Sequence, residues 1–522
     1  MGQGIRALSK TALLVGISLG MAAPGHAQQA GAPAVERPLS VIDWLGTQDA
    51  TPTPAAQPAP TEPAVTDSGA TPQVTVEPLG QGRPRQIGLV PTQVTGLPET
   101  LWAGSDPETL IRQIEALPDL KLPAAQSLFF TILLADAKAP GGNAAAGDAL
   151  ALARVAKLME VGALDPALSL IEQAGVATSP AHFDLYMQIS LLSGTEDRAC
   201  ALMRVTPHLN REYGARIFCD ARAGNWDNAA LTFGAAQALK LMPEERLALL
   251  DRFLNPDLFE DAAPLPDPQR MDPLSFRLFE AIGEPKSTRR LPRAYAVADL
   301  RDLAGWKAQL EAAERLTRAG ALPDNRLLGL YTDRAPAASG GVWDRAQALQ
   351  RFETALQTGS PDAVAKTLPQ AWLQMRGAEL EVPFAALFAE KLTQITLAGR
   401  AQAIARDIAL LSPAYESVPA RDGAEDLTDQ VAKGSATGRR PDAPLAAAIH
   451  DAFAGAEAPA ALLQDARANR LGEAILKVLG MLHEGARGDP ATLRDALATL
   501  RALGLEDTAR RAALQILILE RS

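Results

Sequence analysis

Few residues of this 522-residue chain stand at spacings that support chemistry. The two cysteines, Cys200 and Cys219, are one candidate pair. The periodicity predicts helices over 196–205 and 210–223, and the turn Thr206-Pro207-His208-Leu209 makes them antiparallel neighbours. Packed helix axes lie roughly 8–10 Å apart. Facing Cα atoms then come within the roughly 4.4–6.8 Å that a disulfide requires. A disulfide formed in an oxidising compartment is expected; two buried free thiols are the alternative. A redox-active pair is disfavoured, because the spacing is not C-x-x-C. The histidines His26, His182, His208, His450 and His483 are scattered, and none has a second ligand at metal-binding spacing. His483-Glu484 opens like H-E-x-x-H, but Arg487 stands where the second His belongs, which excludes that zinc-protease motif. Gly16-Ile17-Ser18-Leu19-Gly20 matches G-x-S-x-G without the preceding strand that a nucleophile elbow needs. No Walker A loop and no dinucleotide fingerprint occurs. No catalytic, cofactor-binding or metal-binding residue is therefore assigned.

Tyr415-Glu416-Ser417 supplies the Glu-Ser pair that resembles the catalytic segment of periplasmic lytic transglycosylases, which place a helical superhelix before their catalytic domain. The Gly-Leu-Met-Gln-like segment of that family is missing downstream. Glu416 also lies in a Pro/Gly-rich stretch, with nothing to desolvate it and raise its pKa for acid catalysis. The chain is expected not to be an enzyme. Lys286, Arg289, Arg290 and Arg293 form a local basic patch, read as a solvated loop or as a contact for an acidic partner.

The elements that position these residues follow from composition. The formal charge is −11, with 50 basic and 61 acidic residues. That argues against nucleic acid as a partner, since phosphate binding needs a basic surface. Aromatics are 5%, so Ala, Leu, Val and Ile must build the core. Arg6 and Lys10, the apolar run Thr11 to Ala23 and the small residues Gly25 and Ala27 read as a cleaved signal peptide over 1–27, with cleavage after Ala27. The apolar run is too short to span a bilayer, which takes about 20 residues. A periplasmic location and no membrane span in the mature chain are expected. Residues 28–98 carry 12 Pro between Gly31 and Pro98 and are expected to be a disordered Pro/Ala/Thr-rich tether. Within it, Val41, Ile42, Trp44 and Leu45 form an apolar island. It either docks on the folded part of the same chain or binds a partner.

From Ser105 onward apolar residues recur at helical spacing, and strand alternation is absent. Pro/Gly/Asp-rich stretches divide the helices into an N-terminal block (99–254), a middle block (273–412), a flexible linker (413–444) and a C-terminal block (445–522). A hexapeptide G-x-x-D-x-A recurs at Gly162/Asp165/Ala167, Gly194/Asp197/Ala199, Gly224/Asp227/Ala229, Gly341/Asp344/Ala346 and Gly504/Asp507/Ala509. Gly359/Asp362 is a degenerate copy with Val364 in the Ala place. Gly would end one helix in a left-handed conformation, Asp would cap the next, and Ala would let that helix approach its neighbour. Trp226 and Trp343 precede two of these Asp residues and are expected to pack at the turns.

The first three copies recur at a step of roughly 30 residues, close to the 34-residue period of tetratricopeptide repeats. Gly162, Ala167 and Ala174, and again Gly224, Ala229 and Ala236, stand as in that repeat. The chain resembles tetratricopeptide-repeat proteins, best over 162–240. The resemblance implies an all-α, solenoid-like array of antiparallel helical hairpins. Such arrays present extended surfaces for proteins. The expected function is a non-catalytic exported scaffold that binds protein partners in cell-envelope assembly or maintenance. The alternative is a peptidoglycan-binding accessory or a degenerate relative of the superhelical transglycosylases.

Overall fold

Paired cap residues and prolines set where many helices begin. Asp106, Ser179, Asp272, Ser360 and Asp489 each accept a backbone N–H from the first turn, and each is followed by Pro at the first helical position. The structure, a computed structural model, describes residues 86–418 and 426–519. The expected signal peptide, the tether up to residue 85 and the island Val41-Ile42-Asp43-Trp44-Leu45 lie outside the described residues.

The described chain is all-α apart from isolated bridges joining Ile87 to Ala137 and Val90 to Ala135. A first group comprises α1 (Thr92–Thr95), α2 (Pro107–Ala116), α3 (Pro123–Leu134), α4 (Ala144–Val161), α5 (Leu164–Ala174), α6 (Pro180–Ser193), α7 (Glu196–Val205), α8 (Tyr213–Arg222), α9 (Trp226–Ala238) and α10 (Glu244–Leu254). Next come α11 (Pro273–Ala281), α12 (Ala296–Asp299), α13 (Trp306–Thr317), α14 (Asp324–Thr332), α15 (Val342–Thr358), α16 (Pro361–Gly377), α17 (Glu381–Thr393) and α18 (Gly399–Leu411). The last group is α19 (Leu427–Ala432), α20 (Pro444–Phe453), α21 (Ala460–Arg467), α22 (Leu471–Ala486), α23 (Pro490–Ala502) and α24 (Glu506–Leu519).

The recurring hexapeptide does two of its three expected jobs. Ala167, Ala199, Ala229, Ala346 and Ala509 are all fully buried, as is Val364 of the degenerate copy. Gly162, Gly194, Gly224 and Gly504 have φ between 79° and 89°, the left-handed geometry that glycine tolerates best. Gly341 departs: with φ 57° and ψ −124° it is the residue before α15 rather than the end of a helix. The aspartates do not cap. Asp165, Asp197, Asp227 and Asp507 lie inside the first turns of α5, α7, α9 and α24, while the cap positions of α5, α7 and α9 make no side-chain bond. There they meet the positive end of the helix dipole. Three also reach basic side chains: Asp165 pairs with Arg326, Asp197 with Arg222 and Asp507 with Arg511. Asp344 accepts the N–H of Gly340.

Helices α4 to α10 each pack on the next, but α11 and α12 return to α6. Glu196 on α7, 1% exposed, accepts from Arg277 of α11 at 2.7 Å and pairs with Arg222 of α8 at 3.3 Å. Arg277 and Arg301 share Glu280. Buried charge is costly unless it is paired or fully hydrogen-bonded, as here. Two apolar cores result. One contains Trp306 to Leu411 of the middle helices, and the other joins the first group to the last. Thus α11 belongs with the N-terminal core, although the Pro-rich stretch before it suggested a boundary there.

The last helices close on the first ones. Helix α24 packs on α3, and α22 packs on α2 and α3. Gly104 N–H donates to Asn469 O at 2.9 Å, and Gly472 N–H donates to Leu101 O at 3.0 Å. A Cβ on Gly472 would stand 2.2 Å from Cζ3 of Trp102. Gly480, on the same helix, has open space around it. Gly472→Ala should therefore cost about 1–3 kcal/mol through overpacking, whereas Gly480→Ala should stabilise by up to about 1 kcal/mol. Opposite shifts in melting temperature are the expected result; shifts of the same sign would contradict this closure.

Two expectations of disorder give way to packing. Residues 86–98 belong by composition to the expected tether, yet Ile87, Val90 and Leu97 are buried. Their backbone bonds to the end of α3, where Leu89 and Val90 donate to Leu134 O. The expected linker 413–444 carries α19 and buries Tyr415, Val431, Ala432 and Ala436. In both stretches a few apolar residues find a helix to cover, which prolines nearby do not prevent.

Candidate functional site

A cavity of about 280 Å³ opens where three distant stretches meet: the entry to α3, the helices around α13 and α17, and the end of α18 with α24. Five cations line it, Lys121, Arg293, Arg315, Arg318 and Arg511, against the three carboxylates Asp119, Asp324 and Glu379. The last turn of α13 supplies Arg315 and the residue just past it is Arg318. That spacing places both on one face, at the negative end of the helix dipole. Arg315 donates to Thr288 O at 3.0 Å and Leu291 O at 2.6 Å. Arg318 donates to Ala378 O at 3.1 Å, and its own carbonyl accepts from Gln126 at 2.8 Å. Burial and then the neighbouring guanidiniums of Arg293 and Arg318 push the pKa of Arg315 down.

Arg293 grips both oxygens of Asp119, at 3.0 and 2.8 Å, and Lys121 adds a 2.6 Å bond. Burial raises the Asp119 pKa, but these hydrogen bonds outweigh it and hold the carboxyl at about 2. The folded-state pKa is thus depressed. The stabilisation from this group is complete above its unfolded value of about 3.9 and fades as pH falls toward about 2. Arg511 reaches Asp507 only at 3.7 Å, and its Nε has no partner among the described residues. Thr317, 4% exposed, belongs to the cavity wall, and its covered hydroxyl also lacks a partner among the described residues. Phe130, Leu322, Val382 and Pro383 form an apolar wall.

Of the basic patch read in the sequence, Arg293 enters this cavity, Arg289 pairs at the surface with Glu311, and Arg290 is exposed. Lys121, Arg315, Arg318 and Arg511 carry no local signal in the sequence, because each stands among acidic neighbours such as Asp119, Glu314 and Asp507. Only the closure of α24 on α3 gathers them. Cys200 and Cys219 form the expected disulfide, with Cα atoms 5.1 Å apart. Glu416 is a mostly exposed carboxylate paired with Arg510 at 2.6 Å. His182 and His450 are buried, and no group of three His, Cys, Asp or Glu among the described residues is placed to hold a metal. Trp306 and Trp343 pack together with ring centroids 5.1 Å apart.

A second surface feature lies on the first group of helices. Ten large apolar side chains are exposed among the described residues, and seven of them fall between Val205 and Leu258. Helix α9 is central to this region. It buries only Ala229, Phe233 and Ala236, and it leaves Leu231 74% and the adjoining Leu239 69% exposed. Trp226, expected to pack at its turn, is half exposed and touches Phe253 on α10, with ring centroids 6.3 Å apart.

No helix among the described residues is long and apolar enough to cross a membrane. No family model, curated protein or solved structure matches the chain.

Proposed function

We propose that this chain is a non-catalytic, exported scaffold of tetratricopeptide-like helical hairpins that binds a protein partner in the cell envelope. The observation that carries the reading is the concentration of exposed apolar side chains on and beside α9. Scattered exposed leucines need no explanation, but a group of them around one sparsely packed helix marks an interaction surface. Export to an oxidising compartment is supported by the Cys200–Cys219 disulfide. The partner brings a complementary apolar face, because covering Leu231 and Leu239 releases the water they now order.

Replacing both by Lys tests this. Solvated side chains contribute little to the free fold, typically within about 0.5 kcal/mol each, so the melting temperature should hold. Partner recovery after crosslinking in intact cells should fall at least tenfold, as for residues at the centre of an interface. Undiminished recovery would refute the assignment of α9. Hydrolysis of purified peptidoglycan, abolished by Glu416→Gln, would overturn the non-catalytic reading itself.

A further inference from the structure

We propose that the cavity between α3, α13 and α24 is a binding site for a small organic dianion, a phosphate monoester or a dicarboxylate, carried on a short apolar body. The site is independent of the α9 surface. Its cations exceed its carboxylates five to three, in a chain whose formal charge is −11. Arg293 and Lys121 are paired with Asp119, and Arg511 with Asp507, which leaves Arg315 and Arg318. Arg315 and Arg318 form no ion pair among the described residues and bond only to backbone carbonyls. Beyond the burial that chiefly depresses the pKa of Arg315, the guanidiniums of Arg293 and Arg318 add a like-charge cost. A bound dianion would remove it.

Two groups point to a ligand rather than to structure alone. Thr317 and Arg511 both belong to the cavity wall, and each carries a donor, the Thr317 hydroxyl and Arg511 Nε, that is covered by the wall and has no partner among the described residues. Buried polar groups are nearly always satisfied, so donors left unpartnered in a wall of guanidiniums have a partner to gain by turning to an incoming oxyanion. The apolar wall of Phe130, Leu322 and Val382 stands on the same cavity and selects for a ligand with a hydrophobic body. At about 280 Å³, the space sits at the lower end for small-molecule sites, which excludes a polymer as the occupant of the whole cavity. Because its walls come from both ends of the described chain, the ligand would also bind them together.

The test uses the full chain at low salt, with phenyl phosphate and phthalate as the two anionic probes and benzyl alcohol as the neutral one. Either anion should raise the melting temperature saturably, as binding to the folded state requires, and should titrate to one site per chain by calorimetry. Phenyl phosphate alone binding would assign a phosphate head, and phthalate alone a carboxylate pair. Thr317→Val should leave the unliganded melting temperature unchanged and weaken binding by about tenfold or more, the worth of one hydrogen bond to a charged group. Arg318→Met should weaken it by more than about tenfold, since its lost bond is charged. The proposal fails if neither anion binds up to about 10 mM, if benzyl alcohol binds as tightly, or if both variants bind like the parent chain.

Discussion

Replacing Arg154 with Met is expected to destabilise the chain by about 3–5 kcal/mol, the cost of leaving three backbone carbonyls without their buried donor. Arg154 on α4 is 2% exposed. Its Nε donates to Leu133 O at 2.6 Å, Nη1 to Ile87 O at 2.8 Å and Nη2 to Ala135 O at 3.0 Å. One side chain thereby ties α4 to the end of α3 and to the start of the described chain. Burial lowers its pKa to about 10, partly offset by Asp136, so it remains charged at neutral pH. Met fills similar volume but leaves three carbonyls without that donor, and each unsatisfied buried group costs about 1–3 kcal/mol. The melting temperature should drop by roughly 5–10 °C. Hydrogen exchange should show Leu89 and Val90, whose amides bond to Leu134 O, losing protection first. A variant melting with the parent would mean that this guanidinium does not hold the terminal segment.

Reduction of Cys200–Cys219 should have the second-largest effect. The bond joins α7 to α8 across a separation of 19 residues, and in the chain-entropy model a loop of that size contributes about 3 kcal/mol. Both cysteines are buried, so the reduced thiols can remain as small apolar groups. The expected outcome is a folded but less stable chain rather than an unfolded one. Unfolded and unreduced, the protein should expose no titratable thiol; after reduction it should expose two. Two thiols before reduction would remove the staple from the account.

The disulfide shows what was legible from sequence: a local pairing, set by two helices and a four-residue turn. The same holds for Ala167, Ala199 and Ala229, whose burial follows from repeated spacing. Asp165, Asp197 and Asp227 each stand two positions past the cap they were expected to be, because a residue just inside a helix and one just before it look alike in a sequence. The cavity was not legible at all. Arg293 appeared as part of a basic run, but Lys121, Arg315, Arg318 and Arg511 are brought to it by long-range packing that no local pattern encodes. Likewise Ile87 and Val90 lie in a Pro-rich stretch whose composition argues for disorder, and only the bond of Arg154 to Ile87 O and the amides of Leu89 and Val90 on Leu134 O reveal their place.

The central claim, that the α9 region is the surface by which this chain meets its partner, is tested most directly by site-specific photocrosslinking in intact cells. A photoreactive residue at position 231 is compared with one at position 373, where Leu373 on α16 is 58% exposed but stands alone. The account predicts one discrete protein adduct from position 231 and none from position 373. The same adducts from both positions, or none from position 231, would contradict it.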